Sequence, residues 1–412
     1  MKYHVPVLTI LIIAVGAWLL SPAPLAEDSR AAASATAGVA EATTTLNSAD
    51  IATRIVNDVL EVKPGETIQV NTDLSNLELT EELALTIRRS GAFPLIVYGS
   101  ARLTRRILQE TPEAYLASTP TFQVKMLRVV DGMINLASPE SPAMFAQVPE
   151  HRLMLVRKAN QTVAARIQAS PLRTVTLGNA GIPSKQQAKF YGTSLEKLER
   201  YFWNAVDADP DELQARGERV RAALQDARTL RLTSAEGTNL TMKLVGRPIV
   251  LNSGILEPQA VDREHQARNA WLPAGEAYTS PLETAADGVV KVKVAQYRGI
   301  KIEDLTLKFR EGRVIKVSAA KGAEVLEEAL ALASGDKDRI AVIDIGLNPK
   351  SQLIPGSSFR SYEMEGLVTL GIGGLVWAPT ENQSDFQATF FLPNATLEAD
   401  GRIIVKDGKL KI

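Results

Sequence analysis

The sequence contains no cysteine, and that absence excludes several kinds of chemistry. A chain of 412 residues without cysteine can form no disulfide, use no thiol nucleophile and carry no lipid on a cysteine. With no disulfide to cross-link it, the protein must draw its stability from a sizeable apolar core, which a chain of this length can supply.

Histidine is nearly as scarce, with three in the whole chain: His4, His151 and His265. So few imidazoles argue against a Ser-His-Asp triad and against a metal site built on several histidines. We expect His151, within "PEHRLMLV", to be a surface residue at the start of a strand. His265 lies eleven residues before Glu276 and could approach a site there from a loop.

The chain also lacks a strong charge of either sign. Its 46 lysine and arginine residues nearly balance 47 aspartate and glutamate residues, for a formal net charge of -1. Without a basic stripe, the sequence gives no indication of a surface for nucleic acid or for an anionic membrane. The content of 45% apolar and 23% charged residues is that of a folded globular protein, and the length favours two domains.

The amino terminus indicates export from the cytoplasm. A short basic start precedes "VPVLTILIIAVGAWLL" and the small-residue segment "SPAPLA", the pattern of a secretory signal peptide over residues 1–26. The apolar run is about 16 residues, shorter than the roughly 20 that cross a bilayer, so a membrane anchor formed by an uncleaved signal is the alternative. Residues 27–47, rich in Ala, Thr and Ser, predict a flexible tether. We therefore expect a secreted or periplasmic protein.

Hydrophobic periodicity divides the rest of the chain into two parts. Over residues 48–228, helix and strand patterns alternate, as in "IATRIVNDVL" and "PLIVYG", which predicts an α/β domain with a helical connector at its end. Residues 229–412 are dominated by alternating apolar and polar positions with glycine-containing turns, which predicts a β-rich α+β domain. Asp131 is expected either at the carboxyl end of a strand, where sites often lie, or as a turn residue before glycine.

The helical connector contains a spacing that resembles a calcium loop. "DADPDELQARGE" places four acids at calcium-loop positions, but Glu212 stands where the sharp turn needs glycine. Asp209 as the cap of a helix that begins at Pro210 explains the same residues. Thr193 with Glu196 predicts a capping box at the preceding helix.

Several segments occur in an order that resembles one known family. "VKPGETIQV" and "IRRSGAFPLIV" in the first part are followed by "LPAGEAYTSPLETAADGVVKV", "GLVTLGIGG" and "ADGRIIVKDGKL" in the second. The series is similar to the aminopeptidase T family of metallopeptidases. The resemblance implies an aminopeptidase T-like architecture and two divalent metals in the second domain. It also implies cleavage of single amino acids from peptide amino termini by a homodimer.

The resemblance further implies where metal ligands lie. The glutamate of the family's "PxGE" segment is a ligand, and here that position is Glu276, among small residues that let the backbone approach a metal closely. The alternative is a turn glutamate that caps a neighbouring amide. The family's second glutamate corresponds to Val342 in "RIAVIDIGLNPKS", where the nearest acid is Asp344. Because side chains two residues apart on a strand share a face, Asp344 could point where that glutamate does.

The family's histidines are missing from their positions. Thr369, within "GLVTLGIG", stands where the family has one histidine, and a hydroxyl is a poor substitute for imidazole with zinc or cobalt. The family's final His-x-Asp pair corresponds either to Gln383 with Asp385 or to Asp385 with Gln387. In either register a ligand is lost, and Asp385 is the acid that remains.

Two interpretations follow. In the first, Glu276, Asp344 and Asp385 form an oxygen-rich site for a divalent cation (Mn, Mg, Ca, Zn or Co), with the harder ions favoured once the imidazoles are gone. Glu363 or Glu365, in "SYEMEGLV", would then serve as general base for the hydrolysis of peptides. In the second, catalysis is lost, and the protein is an inactive member of the fold that binds peptides or plays a structural role in the periplasm.

Overall fold

The computed structural model describes residues 11–12, 47–136, 145, 147–168, 170–178, 181–244, 246–256, 268–375 and 377–412. The expected signal peptide and tether lie almost wholly outside the described residues, as do His4 and His265. No helix within the described ranges is long and apolar enough to cross a membrane.

The first part of the chain alternates helices and strands, as predicted. Its strands are β1 (Leu11–Ile12), β2 (Thr67–Asp73), β3 (Phe93–Gly99), β4 (Gly132–Leu136) and β5 (Arg173–Leu177). Its helices are α1 (Ser48–Thr53, continued by a π-helix over Arg54–Val59), α2 (Leu77–Arg89, after a 3-10 turn at Leu74–Asn76), α3 (Ala101–Glu110), α4 (Glu113–Leu116), α5 (Thr121–Met126), α6 (Glu150–Gln168), α7 (Lys185–Phe190), α8 (Leu195–Val206) and α9 (Pro210–Leu224).

The second part of the chain is rich in strands, again as predicted. The strands are β6 (Thr229–Thr233), β7 (Asn239–Lys243), β8 (Val250–Asn252), β9 (Asn269–Leu272), β10 (Glu276–Thr279), β11 (Ala286–Tyr297), β12 (Ile300–Arg310), β13 (Arg313–Ser318), β14 (Ile340–Gly346), β15 (Val368–Gly373), β16 (Gln387–Leu392), β17 (Thr396–Ala399), β18 (Arg402–Lys406) and β19 (Lys409–Leu410). Helix α10 (Ala323–Leu332) lies between β13 and β14.

These strands form three sheets. The first is parallel, with the order β1-β3-β2-β4-β5-β9. The second has five antiparallel strands in the order β16-β15-β14-β10-β8, and the third has eight in the order β13-β12-β11-β7-β6-β17-β18-β19. Strand β9 lies beyond the predicted domain boundary between residues 228 and 229, yet it completes the first sheet.

The cores follow this division. One face of the parallel sheet packs on α1 and α2 through residues such as Ile68, Ile134 and Val175. The two antiparallel sheets share a larger core, to which both contribute alternate residues, such as Ile343 of β14 and Leu307 of β12. The opposite face of the five-stranded sheet is therefore free to carry other side chains.

One local prediction in the first part is wrong, and the two alternatives for Asp131 are resolved. "HRLMLV" forms the first turns of α6 rather than a strand, because its short apolar run belongs to a helix of 19 residues. His151 is exposed on that helix, with its Nε2 3.1 Å from Oε1 of Glu113. Asp131 lies before β4, at the amino end of that strand. Its Oδ2 accepts a hydrogen bond from the backbone N–H of Thr67 at 2.8 Å, as befits a turn residue.

The helix caps were predicted in part. Ser194, not Thr193, caps α8, because its hydroxyl accepts from the backbone N–H of Lys197 at 3.2 Å. Asp209 caps α9 as expected, with Pro210 at the first helical position.

Candidate functional site

Strand register brings two of the predicted ligands to one face of the five-stranded sheet. Asp344 of β14 lies opposite Tyr278 of β10, and Glu276 lies two residues before Tyr278. Residues opposite each other across strands, and residues two apart on one strand, project to the same side, so Glu276 and Asp344 share a face. Thr369 of β15 lies opposite Asp344 on its other flank. We call this side of the sheet the acid face.

The small residues around Glu276 allow close packing of backbone on backbone. Gly275 has a φ of +118°, and a Cβ there would lie 2.7 Å from the Cβ of Asn348. The side-chain amide of Asn348 donates to the carbonyl of Ala274 at 2.7 Å. Gly346, opposite Glu276, has the carbonyl oxygen of Met364 where a Cβ would stand. The small residues of "LPAGEAYTSP" thus let the start of β10 pack closely against the segments that contain Gly346 and Asn348. This packing sets the position of Glu276, the first residue of the strand.

Asp344 is the most unusual residue of the acid face. Its side chain has no exposed surface, and neither carboxyl oxygen has a hydrogen-bond partner among the described residues. Burial raises the pKa of Asp344 well above its ordinary value, and the nearby charge of Glu363 raises it further. The adjacent Ile345 N–H opposes the rise in pKa without reaching hydrogen-bond geometry. Burial of this kind favours the neutral form of the carboxyl group, whereas an accompanying cation would favour the charged form.

Thr369 shares the isolation of Asp344. Its Oγ1 is buried and also lacks a partner among the described residues. A buried hydroxyl or carboxyl without a hydrogen bond costs about 1–3 kcal/mol, so two such groups side by side are a local weak point of the fold.

Glu363 lies beside the acid face but differs from Asp344 in being hydrogen-bonded. It is 2% exposed, and its carboxylate accepts from the hydroxyls of Ser351, at 3.0 Å, and of Ser361. Burial raises the pKa of Glu363 to about 7, while the two serine hydroxyls limit the rise. Its position agrees with the prediction that it lies near the ligands, but its oxygens are directed to serines.

Aromatic rings cover the acid face. Trp377 packs edge-on against Tyr278 with centroids 5.3 Å apart, and against Tyr362 at 5.9 Å. Tyr362 in turn packs against Phe391 at 5.0 Å. Burial, together with the nearby carboxyl groups of Glu276 and Asp344, raises the pKa of both tyrosines above the ordinary value. The acids therefore lie beneath a layer of rings rather than at the floor of an open cleft.

The structure does not bring Asp385 to the acid face. Phe391 of β16 lies opposite Thr369, whereas Asp385 precedes the first residue of β16 by two positions. At about 3.4 Å per residue, the four steps along the strand from Gln387 to Phe391 alone span roughly 14 Å. Asp385 instead binds the loop that follows α10, since its carboxylate accepts from the Ser334 N–H at 2.7 Å and the Ser334 hydroxyl at 2.8 Å.

Glu365, the other predicted general base, also points elsewhere. Its carboxylate pairs with the guanidinium of Arg216 on α9 at 2.6 Å, at the protein surface. Trp271 lies on β9 in the parallel sheet, whereas Trp377 touches the acid face.

The oxygen donors do not fit the two-metal centre that the resemblance implies. A cocatalytic pair needs several carboxylates or imidazoles and an open position for water. The ranges of the chain that the structure describes contain no group of three or more His, Cys, Asp or Glu placed to hold a metal ion. One hard cation among oxygens of Asp344, Thr369 and Glu276 is the most that the acid face could bind.

A family model described as thermophilic metalloprotease (M29) matches residues 45–338, more than half of the chain. The chain belongs to this family. The M29 match confirms the resemblance that the order of sequence segments had indicated.

Three relatives of this chain are named as aminopeptidases. The chain is 34% identical to aminopeptidase AmpS of Bacillus subtilis over 129 residues, which is 31% of this chain and only 30% of that protein. It is 23% identical to aminopeptidase 2 of Geobacillus stearothermophilus, over 66% of this chain and 69% of that protein. It is also 23% identical to aminopeptidase PepS of Streptococcus thermophilus, over 75% of this chain and 78% of that protein.

Two solved structures share the fold. Wild-type AmpT from Thermus thermophilus superimposes with a TM-score of 0.69 at 18% identity, covering 89% of this chain and 99% of that one. A 2,5-dihydroxypyridine dioxygenase from Pseudomonas putida gives a TM-score of 0.56 at 14% identity, covering 89% and 98%. Since one of these structures is a dioxygenase, the fold by itself does not fix the reaction.

Sequence reasoning missed the aromatic layer over the acids. Tyr278 could have been found from strand alternation, because it lies two residues after Glu276 and so shares its face. Tyr362 and Phe391 carry no such local signal, since they meet only when β15 and β16 pair.

Proposed function

We propose that this protein keeps the M29 fold without the family's two-metal centre and acts outside the cytoplasm as a peptide-binding or structural protein. The observation that carries the proposal is the environment of Asp344, which is fully buried and whose two carboxyl oxygens have no hydrogen-bond partner among the described residues. A metal-assisted hydrolase needs charged ligands, an open coordination position and room for water. The carboxyl groups of the acid face, Glu276 and Asp344, are instead buried beneath aromatic rings.

Two further features support this proposal. The amino-terminal pattern of a signal peptide points to the periplasm or the cell exterior. The relatives are named as aminopeptidases, so recognition of peptides is the property that an inactive descendant would most readily keep. A homodimer, which the family resemblance implies, belongs to the same proposal.

One observation favours a second candidate, an aminopeptidase assisted by a single cation. The unpaired oxygens of Asp344 and Thr369 face a region that also receives Glu276, and a hard cation there would satisfy all of them. Glu363, with a pKa of about 7, would be suited to accept a proton in that case.

The substitution Asp344→Asn distinguishes between the two candidate functions. If Asp344 is neutral and without a cation, Asp344→Asn exchanges one uncharged group for another and changes the free energy of unfolding at pH 7 by less than about 1 kcal/mol. If a cation is bound, the substitution and a chelator both lower the melting temperature, because a ligand of the folded state is lost. Asp385→Asn, at the predicted ligand that lies apart, is the matched control for metal content.

Activity completes the test. We expect no turnover of aminoacyl-anilides with added Mn, Mg, Ca, Zn or Co, and no stoichiometric metal in protein purified without chelator. Turnover that is lost in Glu276→Gln and Asp344→Asn, but kept in Asp385→Asn, would reject the proposal in favour of the single-cation enzyme.

A further inference from the structure

A row of polar side chains crosses the parallel sheet on the face opposite its main core. Asn71 of β2 pairs with Asn135 of β4, Asn135 with Thr176 of β5, and Thr176 with Trp271 of β9. All four residues stand directly beside one another in register, and all are half-buried. We call them the amide row.

The amide row departs from what a parallel sheet normally carries. Such sheets have both faces covered by helices, and their strands are nearly continuous apolar runs. The opposite face follows that rule with residues such as Val70, Ile134 and Val175. On the face of the amide row, Val163 and Ile167 of α6 meet Met133 of β4, on the side nearer the amino ends of the strands.

The side chains of the row are linked but not saturated. The Asn71 amide donates to Oδ1 of Asn135 at 2.7 Å, and the Asn135 amide donates to the hydroxyl of Thr176 at 3.3 Å. Gln69, one step along β2, donates to Oδ1 of Asn71 at 2.7 Å. Each side-chain amide has two N–H groups, so Asn71 and Asn135 each keep one beyond these contacts, and Thr176 keeps its O–H.

The position of the row in the sheet is one where ligands bind. In the order β3-β2-β4-β5, strand β2 is followed in the chain by β3 on one side, whereas its other neighbour β4 is followed by β5 on the opposite side. The two connections therefore diverge between β2 and β4. Crevices at such switch points, beyond the carboxyl ends of the strands, are the usual ligand sites of open α/β sheets. Asn135, Thr176 and Trp271 are each one residue from the carboxyl end of their strand.

The chemistry of the row selects an uncharged ligand. Asn71, Asn135 and Thr176 offer hydrogen-bond donors and acceptors but no charge, and Oδ1 of the nearby Asp73 accepts from the Ser75 N–H at 2.8 Å and from the Ser75 hydroxyl. The carboxylate of a peptide would bring a negative charge that nothing in the row could pair. Trp271 adds an aromatic ring, which suits the C–H faces of a sugar.

We infer that the amide row is a binding site for a neutral saccharide, separate from the acid face and independent of whether hydrolysis occurs there. Hydroxyls of the sugar bond to the free N–H groups of Asn71 and Asn135 and to Thr176, while one sugar ring lies against Trp271. The four strand positions are about 4.8 Å apart and so span roughly 14 Å, long enough for two linked rings.

The test uses calorimetric titration of the full-length protein with maltose, cellobiose and N,N′-diacetylchitobiose, and with the dipeptide Leu-Leu as a charged comparison. We expect one of the disaccharides to bind with a Kd of about 1 mM or below. Asn135→Ala should weaken that binding at least tenfold. Thr176→Val, which keeps the β-branched shape and removes only the hydroxyl, should weaken it severalfold without lowering the melting temperature.

Asn394→Ala is the control, because this exposed asparagine lies outside the parallel sheet and contacts Glu236. Trp271→Phe should keep most of the binding, whereas Trp271→Ala should abolish it. The inference is rejected if no disaccharide binds the unaltered protein, if the row variants bind as the control does, or if they weaken Leu-Leu binding instead.

Discussion

At the scale of single residues, Glu363 shows two opposing effects on one carboxyl group. Removal from water favours the neutral acid, while the hydroxyls of Ser351 and Ser361 favour the charged form, and the balance places the pKa of Glu363 at about 7. Asp344 has no such hydroxyl, and burial and the charge of Glu363 both raise its pKa well above the ordinary value. The two acids are both buried, but only Glu363 has side-chain hydrogen bonds that favour its charged form.

This balance predicts how stability depends on pH. Because the pKa of Glu363 is higher in the folded state than the usual value near 4.3, its proton stabilises the fold below that value, and the contribution is lost as pH rises through about 7. The loss amounts to about 3 kcal/mol. Glu363→Gln, which is neutral at every pH, should remove this part of the decline in denaturant unfolding measured from pH 4.5 to pH 7.5.

Glu365→Gln serves as the control for this measurement, since Glu365 is paired with Arg216 at the surface. Its pH profile should match that of the unaltered protein. A stability that rises with pH in this window, and rises less in Glu363→Gln, would mean that the charged form is favoured, as a bound cation would make it.

Residue identities and strand alternation predicted about half of the acid face. The two-residue step from Val342 to Asp344 keeps a side chain on the same side of a strand, and the structure places Asp344 beside Glu276 accordingly. Asp385 could not be placed in this way, because it lies in the loop before β16, where no alternation fixes its direction. Likewise, the raised pKa of Asp344 depends on rings from distant segments that no local pattern reveals.

At the scale of elements, the fit of β14 against its neighbours depends on Gly346. A Cβ at this position would overlap the carbonyl oxygens of Met364 and Tyr362, which belong to backbone and cannot turn away. Gly346 lies opposite Glu276, the first residue of β10. The close backbone contact between Gly346 and Met364 therefore also helps to position Glu276.

Alanine at position 346 should therefore be costly. We expect Gly346→Ala to lower the free energy of unfolding by at least about 3 kcal/mol, because backbone must shift to admit the methyl group. Gly401→Ala is the matched control: Gly401 has a φ of +83° but nothing within 4 Å of the added Cβ, so only the backbone strain of about 1 kcal/mol applies. Chemical denaturation of both variants measures the difference, and equal effects would contradict the packing argument.

Helices and strands could be predicted from the sequence where the hydrophobic periodicity extends over many residues. The hairpin of β6 and β7 and the helix α10 follow directly from their patterns of alternation and of helical spacing. The pattern at the start of α6 predicts a strand because Leu153, Met154 and Leu155 form a short apolar run, and only the thirteen residues that follow show that the segment is a helix. The return of β9 to the first sheet has no local signal at all.

At the scale of the whole molecule, a buried ion cluster joins the two halves. Glu150, in the first turn of α6, is 2% exposed and pairs with Arg157 of the same helix at 2.9 Å. Its other oxygen pairs at 2.8 Å with Arg298, in the turn between β11 and β12 of the eight-stranded sheet. The neighbouring Tyr297 hydroxyl lies 3.4 Å from Glu150, and burial raises the pKa of Tyr297 to about 12, which keeps that hydroxyl protonated as a donor.

Loss of the Glu150 charge should loosen the two halves from each other. Glu150→Gln leaves two buried guanidinium groups without a counter-charge, and breaking a buried pair in this way costs about 3–5 kcal/mol. Because the cluster spans the first part of the chain and the eight-stranded sheet, we expect calorimetric unfolding to separate into two transitions, with the first at a lower temperature. Glu113→Gln is the control: Glu113, on α4, pairs with His151 and Arg152 of α6 at the exposed surface, where an ion pair contributes at most about 1 kcal/mol. A single transition, shifted equally in both variants, would contradict this prediction. It would show that apolar contacts hold the two halves together and that the ion cluster only orients the β11–β12 turn against α6.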